Sequence, residues 1–346
     1  MGLRDEIREQ PDVLQRLIDT QWPAIRHIGR ELRGRSIDYV FLTARGTSDH
    51  AGLYAKYLWA AHNQLPIALA APSLFSLYQR PPRLGNTLVV GISQSGQSPD
   101  IVGVMAEGHR QGAPTLAIVN VPDSPLAANS DWVIDVCAGP ELAVAATKSY
   151  TAELAAIALL SIAMSDDQDA RLAALQRVPD YMAQMLALED EIASIAERYR
   201  YMDQCVVLGR GFNYATAYEW ALKLKELTYA VAAPYSSADF QHGPVAMVAQ
   251  GFPVLAVMPR GAVHADLHEL LARLKHQHGV ELLALSNAPE TLDLADRAVA
   301  LPADMPEWLS PLVAIVPGQL FCYNLTKAKG FDTESPRMLS KVTKTE

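Results

Sequence analysis

Short runs of consecutive apolar residues alternate along this chain with longer stretches of helical periodicity. Asp38–Gly46 (DYVFLTARG), Thr87–Ile92 (TLVVGI), Thr115–Asn120 (TLAIVN) and a run from Asp131 (DWVIDV) are continuous and rich in Val, Ile and Leu. Runs of this kind predict strands buried on both faces, as in a parallel sheet. Between them, Asp49–His62 and Pro99–Gln111 keep apolar residues three and four apart, which predicts helices. The same order then returns. Asp203–Gly211 (DQCVVLGRG), Phe252–Val257 (FPVLAV), Leu282–Asn287 (LLALSN) and a run from Asp296 (DRAVAL) each lie 165 to 167 residues beyond their counterparts. A repeat at one offset implies a duplicated unit.

Strand alternating with helix in each half predicts an α/β fold of two tandem doubly wound parallel sheets, flavodoxin-like αβα layers, with a C-terminal tail. The expected division is a helical segment over 1–28, a first α/β domain over 29–165, a helical linker over 166–195, a second domain over 196–330 and a tail over 331–346. Lys148–Arg200 is Ala/Leu-rich and reads as helical throughout. The tail is polar and weakly periodic, which predicts an extended arm unless it docks.

Composition narrows the class. Half of the 346 residues are apolar, which excludes disorder as the main state. With 38 acidic and 29 basic residues the formal charge is −9, the wrong sign for a nucleic-acid binder. Cys137, Cys205 and Cys322 are too far apart for a metal knuckle and odd in number, which fits a reducing compartment. Residues 1–20 mix charges of both signs and lack the apolar core of a signal peptide. The longest apolar run, Leu154–Met164, is far short of the ~20 residues that span a bilayer, so no membrane partner and a cytoplasmic location are expected.

Candidate chemistry follows from the strand ends, where open α/β sheets bind ligands. The first strand ends in Arg45-Gly46-Thr47-Ser48 and the second in Ser93-Gln94-Ser95-Gly96-Gln97-Ser98, directly before a helix. Hydroxyls, a glycine and helix N–H groups together make an anion cradle. Serines that only cap the helix are the plainer alternative. Neither GxxxxGK[ST] nor GxGxxG occurs, so a small phosphorylated ligand is expected rather than a nucleotide. In the second half Met258–Val263 stands at the equivalent place without the hydroxyls. Instead, a predicted helix over Tyr214–Tyr229 carries Glu219, Lys223 and Glu226 at steps of four and three, on one face. That stripe fits either acid–base chemistry or a solvated face with two ion pairs. His242 follows in Gln241-His-Gly-Pro244. It is the side-chain type whose ordinary pKa lies near neutrality. His264 and His268, four apart, lack a third ligand at a convincing spacing, so no metal is expected.

Six motifs in order resemble one family. They are ARGTS at 44–48, SQSGQS at 93–98, ELAVAATKSYT at 141–151, EWALKLKE at 219–226, QHGP at 241–244 and SPRMLSKVTKTE at 335–346. Together they resemble the isomerase part of glucosamine-6-phosphate synthase, a pair of sugar isomerase (SIS) domains with five-stranded parallel sheets. The resemblance implies that Ser93, Gln94, Ser95 and Ser98, with Thr47 as neighbour, hold the sugar phosphate, and that Val144 and Ala146 line the sugar; the strand-end reading adds Gly46, Ser48 and Gly96 to the expected binding residues. It implies Glu226 as the proton shuttle between sugar carbons 1 and 2, with Lys223 beside it. It further implies His242 as the ring-opening base contributed by the partner of a homodimer, and Lys341 as the tail lysine that reaches the ligand carbonyl. No cofactor is implied. Only about 38 residues precede the first strand and the first cysteine is Cys137, so glutamine is not expected as nitrogen source. The expected activity is that of an amino-sugar-phosphate isomerase or deaminase, glucosamine 6-phosphate giving fructose 6-phosphate and ammonia. A deglycase or isomerase of another sugar phosphate, or a non-catalytic sugar-phosphate regulator, is the alternative.

Overall fold

The apolar runs become two parallel sheets of identical strand order. In the computed structural model, which describes residues 2–341, the first sheet is built from β1 (Tyr39–Thr43), β2 (Ile67–Leu69), β3 (Thr87–Ser93), β4 (Thr115–Val119) and β5 (Trp132–Asp135), arranged β2-β1-β3-β4-β5. The second uses β6 (Gln204–Gly209), β7 (Val231–Ser236), β8 (Pro253–Val257), β9 (Glu281–Ser286) and β10 (Arg297–Ala300), arranged β10-β9-β8-β6-β7. Read from the other edge, the second is the first repeated. Every pairing is parallel. The central strands β3, β4 and β8 are buried along their whole length, as continuous apolar runs require.

The two strands that the apolar pattern does not mark, β2 and β7, are sheet edges. β2 has three residues of mixed burial, and β7 carries Pro234 and exposes Val231. Proline cannot donate to a ladder and is tolerated at an edge. Half-exposed strands lose the apolar continuity by which a buried strand is recognised.

The repeat extends to hydrogen bonds. Asp131 Oδ2 accepts the Thr115 N–H at the foot of β4, and Asp296 Oδ2 accepts the Leu282 N–H in β9. Arg45 Nε and Nη2 bond Asp100 Oδ2, each at 2.7 Å; Arg210 bonds Asp266. In both halves an arginine after the first strand staples an aspartate near the start of the helix that follows the third strand.

The chain separates into two compact units. One gathers the N-terminal residues up to Arg8, Ala143–Ala145 and Asp180–Leu339; the other gathers Glu9–Leu142, Ala146–Pro179 and the chain from Ser340. We refer to them as the C-terminal and N-terminal unit. Within the N-terminal unit, Lys148–Ala163 is buried at all 16 positions, a helix apolar on every side. The helix Gln10–Arg33 crosses it so closely that a Cβ on Gly29 would lie 2.5 Å from that of Ala163. The predicted helical stretch Lys148–Arg200 is four helices: Lys148–Ala163, Gln168–Leu175, Val178–Leu186 and Glu189–Arg198.

In the C-terminal unit, Glu307–Ala328 is long and apolar enough to cross a bilayer by length and composition alone. Of its most apolar window, 89% is buried within the fold. Its apolar surface packs on protein: Phe321 meets Trp220 edge-on at 5.8 Å, and a Cβ on Gly318 would lie 3.2 Å from the Trp220 ring. Pro311, Pro317 and Gln319 interrupt its sequence, so the apolar count over Leu154–Met164 passes it by.

The tail docks within each unit it enters. Glu334 accepts the Leu3 N–H, and Arg337 lies 4.5 Å from the Tyr229 ring. Residues 342–346 of the predicted tail lie outside the described residues.

Candidate active site

The hydroxyl-rich loops of the N-terminal unit leave adjacent strands at their carboxyl ends. β1 connects outward to β2 and β3 to β4, in opposite directions, so Arg45–Ser48 and Ser93–Ser98 meet at the topological switch point of the sheet. Gly46 caps the helix Thr47–Asn63 with φ +55° and ψ −127°, a conformation open to glycine. Gly96 has φ +63°, and a Cβ there would fall 2.1 Å from Ser124 Oγ. Its N–H donates to Ser93 Oγ at 3.0 Å and its carbonyl accepts the Leu126 N–H. Gln97 N–H donates to Ser95 Oγ at 3.3 Å. Gln94, Ser95 and Ser98 are partly exposed, and Ser98 caps the helix Pro99–Arg110 from an extended backbone without a side-chain capping bond. First-turn N–H groups of two helices converge here with the hydroxyls of Thr47, Ser95 and Ser98.

Sequence reasoning aims the Ser48 hydroxyl at the ligand; the structure turns it inward. Ser48 is 7% exposed and donates to Glu153 Oε1 at 2.8 Å. What it offers at the strand end is its backbone N–H.

Lys341 reaches the same unit. Its Nζ lies 2.7 Å from Glu141 Oε2. Glu141, unrecognised as a functional residue in the sequence, is buried at the start of the loop that carries Val144 and Ala146, both partly exposed. Burial alone would raise its carboxyl pKa. The Lys341 ammonium and the N–H groups of Thr147 and Ser149 outweigh that, so the net displacement is downward.

In the C-terminal unit, the predicted helix over Tyr214–Tyr229 is α-helical only to Lys223. Leu224–Thr228 forms a π-helical turn, closed by Tyr229 in the left-handed region. Turns of this type are frequent at functional sites. The charged stripe is not a solvated face. Glu219 and Lys223 have 0% and 1% of their side chains exposed, and Glu226, in the wide turn, has 21%. Lys223 Nζ sits 2.6 Å from Glu226 Oε2 and 3.3 Å from Glu219 Oε1. Burial would depress the lysine pKa; two carboxylates reverse this and push it well above the ordinary lysine value.

His242 does not join this cluster within its own unit. The helix bearing Glu226 runs back from the carboxyl end of β6 to the amino end of β7. His242 follows β7 and the short helix Ser237–Gln241, exposed at the carboxyl end. Six residues of β7 separate the two edges by about 20 Å.

The equivalent loop of the second copy is covered. Gly261 stands where Gly96 stands in the first, and a Cβ on it would fall 2.0 Å from Glu307 Cδ. Glu307 Oε2 accepts the neighbouring Ala262 N–H at 2.8 Å. A carboxylate of the chain itself therefore sits on this loop. His264 and His268 both hydrogen-bond Thr291 Oγ1, and among the described residues no group of three His, Cys, Asp or Glu forms a metal cluster.

Fold and loops together define a tandem α/β protein with a pair of hydroxyl-rich loops at the strand ends of one copy and a carboxylate–lysine cluster in the other. The chain belongs to the SIS domain family, whose pattern matches residues 35–163 and 200–327. Over 320 residues it is 34% identical to glutamine–fructose-6-phosphate aminotransferase (isomerizing) of Mycobacterium tuberculosis, covering 89% of this chain and 51% of that protein. The chain thus spans about half the length of the curated relatives it matches. Among solved structures it is similar to the C-terminal domain of glucosamine-fructose-6-phosphate aminotransferase from Francisella tularensis, with a TM-score of 0.87 at 28% identity, covering 96% of this chain and 98% of that one. It is also similar to a candidate phosphosugar isomerase from Silicibacter pomeroyi, with a TM-score of 0.86 at 34% identity, covering 96% and 100%.

Proposed function

We propose that this chain is a phosphosugar aldose–ketose isomerase that deaminates glucosamine 6-phosphate to fructose 6-phosphate and ammonia. The observation that carries the reading is the Glu219–Lys223–Glu226 cluster. Two of its members are sealed in the fold, while Glu226 emerges from a π-helical turn with the Lys223 ammonium 2.6 Å away. A carboxylate so held is suited to move a proton between adjacent carbons.

The phosphate rests on the hydroxyls and N–H groups of Gly46–Ser48 and Ser93–Ser98, and Val144 and Ala146 line the sugar. His242 opens the ring. Glu226 takes the proton from C2, leaving an enolamine across C1 and C2, and returns it to C1. The product is an imine at C2. Water adds at that carbon and ammonia leaves, giving the ketone of fructose 6-phosphate. Lys223 opposes negative charge that develops during the transfer, and Lys341 addresses the carbonyl oxygen. No net electrons move, and the sequence needs no redox cofactor.

The placement of Glu226 and His242 at opposite edges of one sheet supports a homodimer in which His242 of a second copy completes the site. Similarity to aminotransferase isomerase regions and to a candidate phosphosugar isomerase supports the substrate class.

Incubation with glucosamine 6-phosphate is expected to release ammonia and fructose 6-phosphate in equal amounts. Saturable binding with no product overturns the enzymatic reading. Mixing inactive Glu226→Gln with inactive His242→Ala is expected to restore activity. Verified subunit exchange without recovery refutes the shared site.

A further inference from the structure

Glu141 has none of its side chain exposed, yet its two oxygens take four donors. Oε1 accepts the N–H groups of Thr147 and Ser149, both at 3.0 Å. Oε2 accepts the Ser149 hydroxyl at 2.8 Å and the Lys341 ammonium at 2.7 Å. A carboxylate presents about four acceptor positions, so its capacity is filled.

The work divides by oxygen. Oε1 ties the end of the loop into the first turn of the helix Lys148–Ala163 and needs no tail. Oε2 carries the tail lysine and needs no further backbone. A buried carboxylate of this kind is costly unless it is fully bonded. The loop bonds alone could be served by a neutral amide, so the charge answers to Lys341.

We propose that Glu141 is the positioning residue for Lys341: its Oε2 fixes the tail ammonium beside the loop that carries Val144 and Ala146. The inference rests on the assignment of that loop and of Lys341 to the sugar site. Without Oε2, the lysine's flexible stem samples many rotamers and the ammonium no longer has one place.

Glu141→Gln separates the two tasks. The amide oxygen at the Oε1 position keeps the Thr147 and Ser149 N–H bonds, and the Ser149 hydroxyl can turn to accept from the amide nitrogen. That nitrogen faces the Lys341 ammonium donor to donor and expels it.

The test compares wild type, Glu141→Gln, Lys341→Met and the double variant. Reaction of Lys341 with an amine-specific acylating reagent is read by mass spectrometry against the exposed Lys56. Labelling in Glu141→Gln is expected to rise by on the order of 10-fold, the readout a merely structural role does not move. Turnover of glucosamine 6-phosphate is expected to fall roughly 10²-fold in kcat with little change in KM, as for other misplaced groups. Lys341→Met should match that loss and the double variant should add nothing to it. Unchanged Lys341 labelling in folded Glu141→Gln, or losses that multiply in the double variant, overturn the inference. Wild-type turnover in Lys341→Met refutes the role given to the lysine under the proposed function, while the labelling still decides whether Glu141 holds it. Should Glu141→Gln fail to fold, Glu141→Asp, which keeps the charge and shortens the reach by one methylene, carries the same comparison with an intermediate rise in labelling.

Discussion

The two halves share a frame and differ in what occupies it. Each has the same strand order, the same arginine–aspartate staple and the same aspartate at the foot of its fourth strand. In the first, the third strand ends in Ser93 and the loop after it holds Ser95, Gly96 and Ser98. In the second, the equivalent loop lies under the carboxylate of Glu307. The second instead carries buried charge at the other edge of its sheet, around Lys223. What is common to both is what the fold needs, and what differs is where chemistry is to be sought.

That comparison can be broken in several ways. The largest effect is expected at Glu226. Glu226→Gln should lower turnover by ~10²–10⁴-fold, the range for a positioned acid–base group, with phosphate affinity unchanged in equilibrium titration. A normal rate would remove Glu226 from the chemistry. Next comes the cradle. Ser95→Ala should weaken inorganic phosphate roughly 10- to 100-fold by calorimetry, since a hydrogen bond to a charged group contributes about 1.5–3 kcal/mol. Arg260→Ala in the second copy should leave that affinity alone; equal losses would erase the distinction between the loops.

Both staples should serve stability, to different degrees. Arg45→Ala removes the guanidinium bonds to the buried Asp100 and should cost about 1.5–3 kcal/mol in denaturant unfolding, the scale of a hydrogen bond to a charged group. Arg210→Ala should cost less, because Asp266 is half exposed. A cradle role confined to Arg45 would appear as lost phosphate binding with normal stability.

The smallest effect concerns pH. The Glu141 carboxyl is held below its ordinary value of 4.5 in the folded protein. As pH falls, the unfolded chain takes up this proton first. The stabilisation is therefore full above the ordinary value and disappears as pH drops through the folded one. Glu141→Gln should show a shallower fall in melting temperature between roughly pH 6 and pH 3. An identical slope would show that Glu141 does not contribute to the acid limb.

Much of this was legible beforehand, for identifiable reasons. The central strands are buried on both faces and write continuous apolar runs. The edge strands β2 and β7 do not, and only pairing reveals them. Clustered hydroxyls beside Gly96 single out that loop in the sequence, and the structure sets it beside Arg45–Ser48 at the strand ends. Glu141 left no such mark. Its partner Lys341 lies 200 residues away, and a single acidic residue before an apolar loop resembles any surface glutamate. Steps of four and three put Glu219, Lys223 and Glu226 on one face, but spacing is silent about whether that face meets water.

The sequence by itself determined the duplicated α/β architecture, since hydrophobic period and repeat offset are properties of the chain read in order. Tertiary structure alone decided that the charged stripe is buried, that Ser48 turns inward, that Glu307 covers the second loop and that His242 and Glu226 stand at opposite ends of a strand. Each of these depends on which distant residues share a place. Burial and electrostatic pairing are set by neighbours in space, and local periodicity carries no record of them.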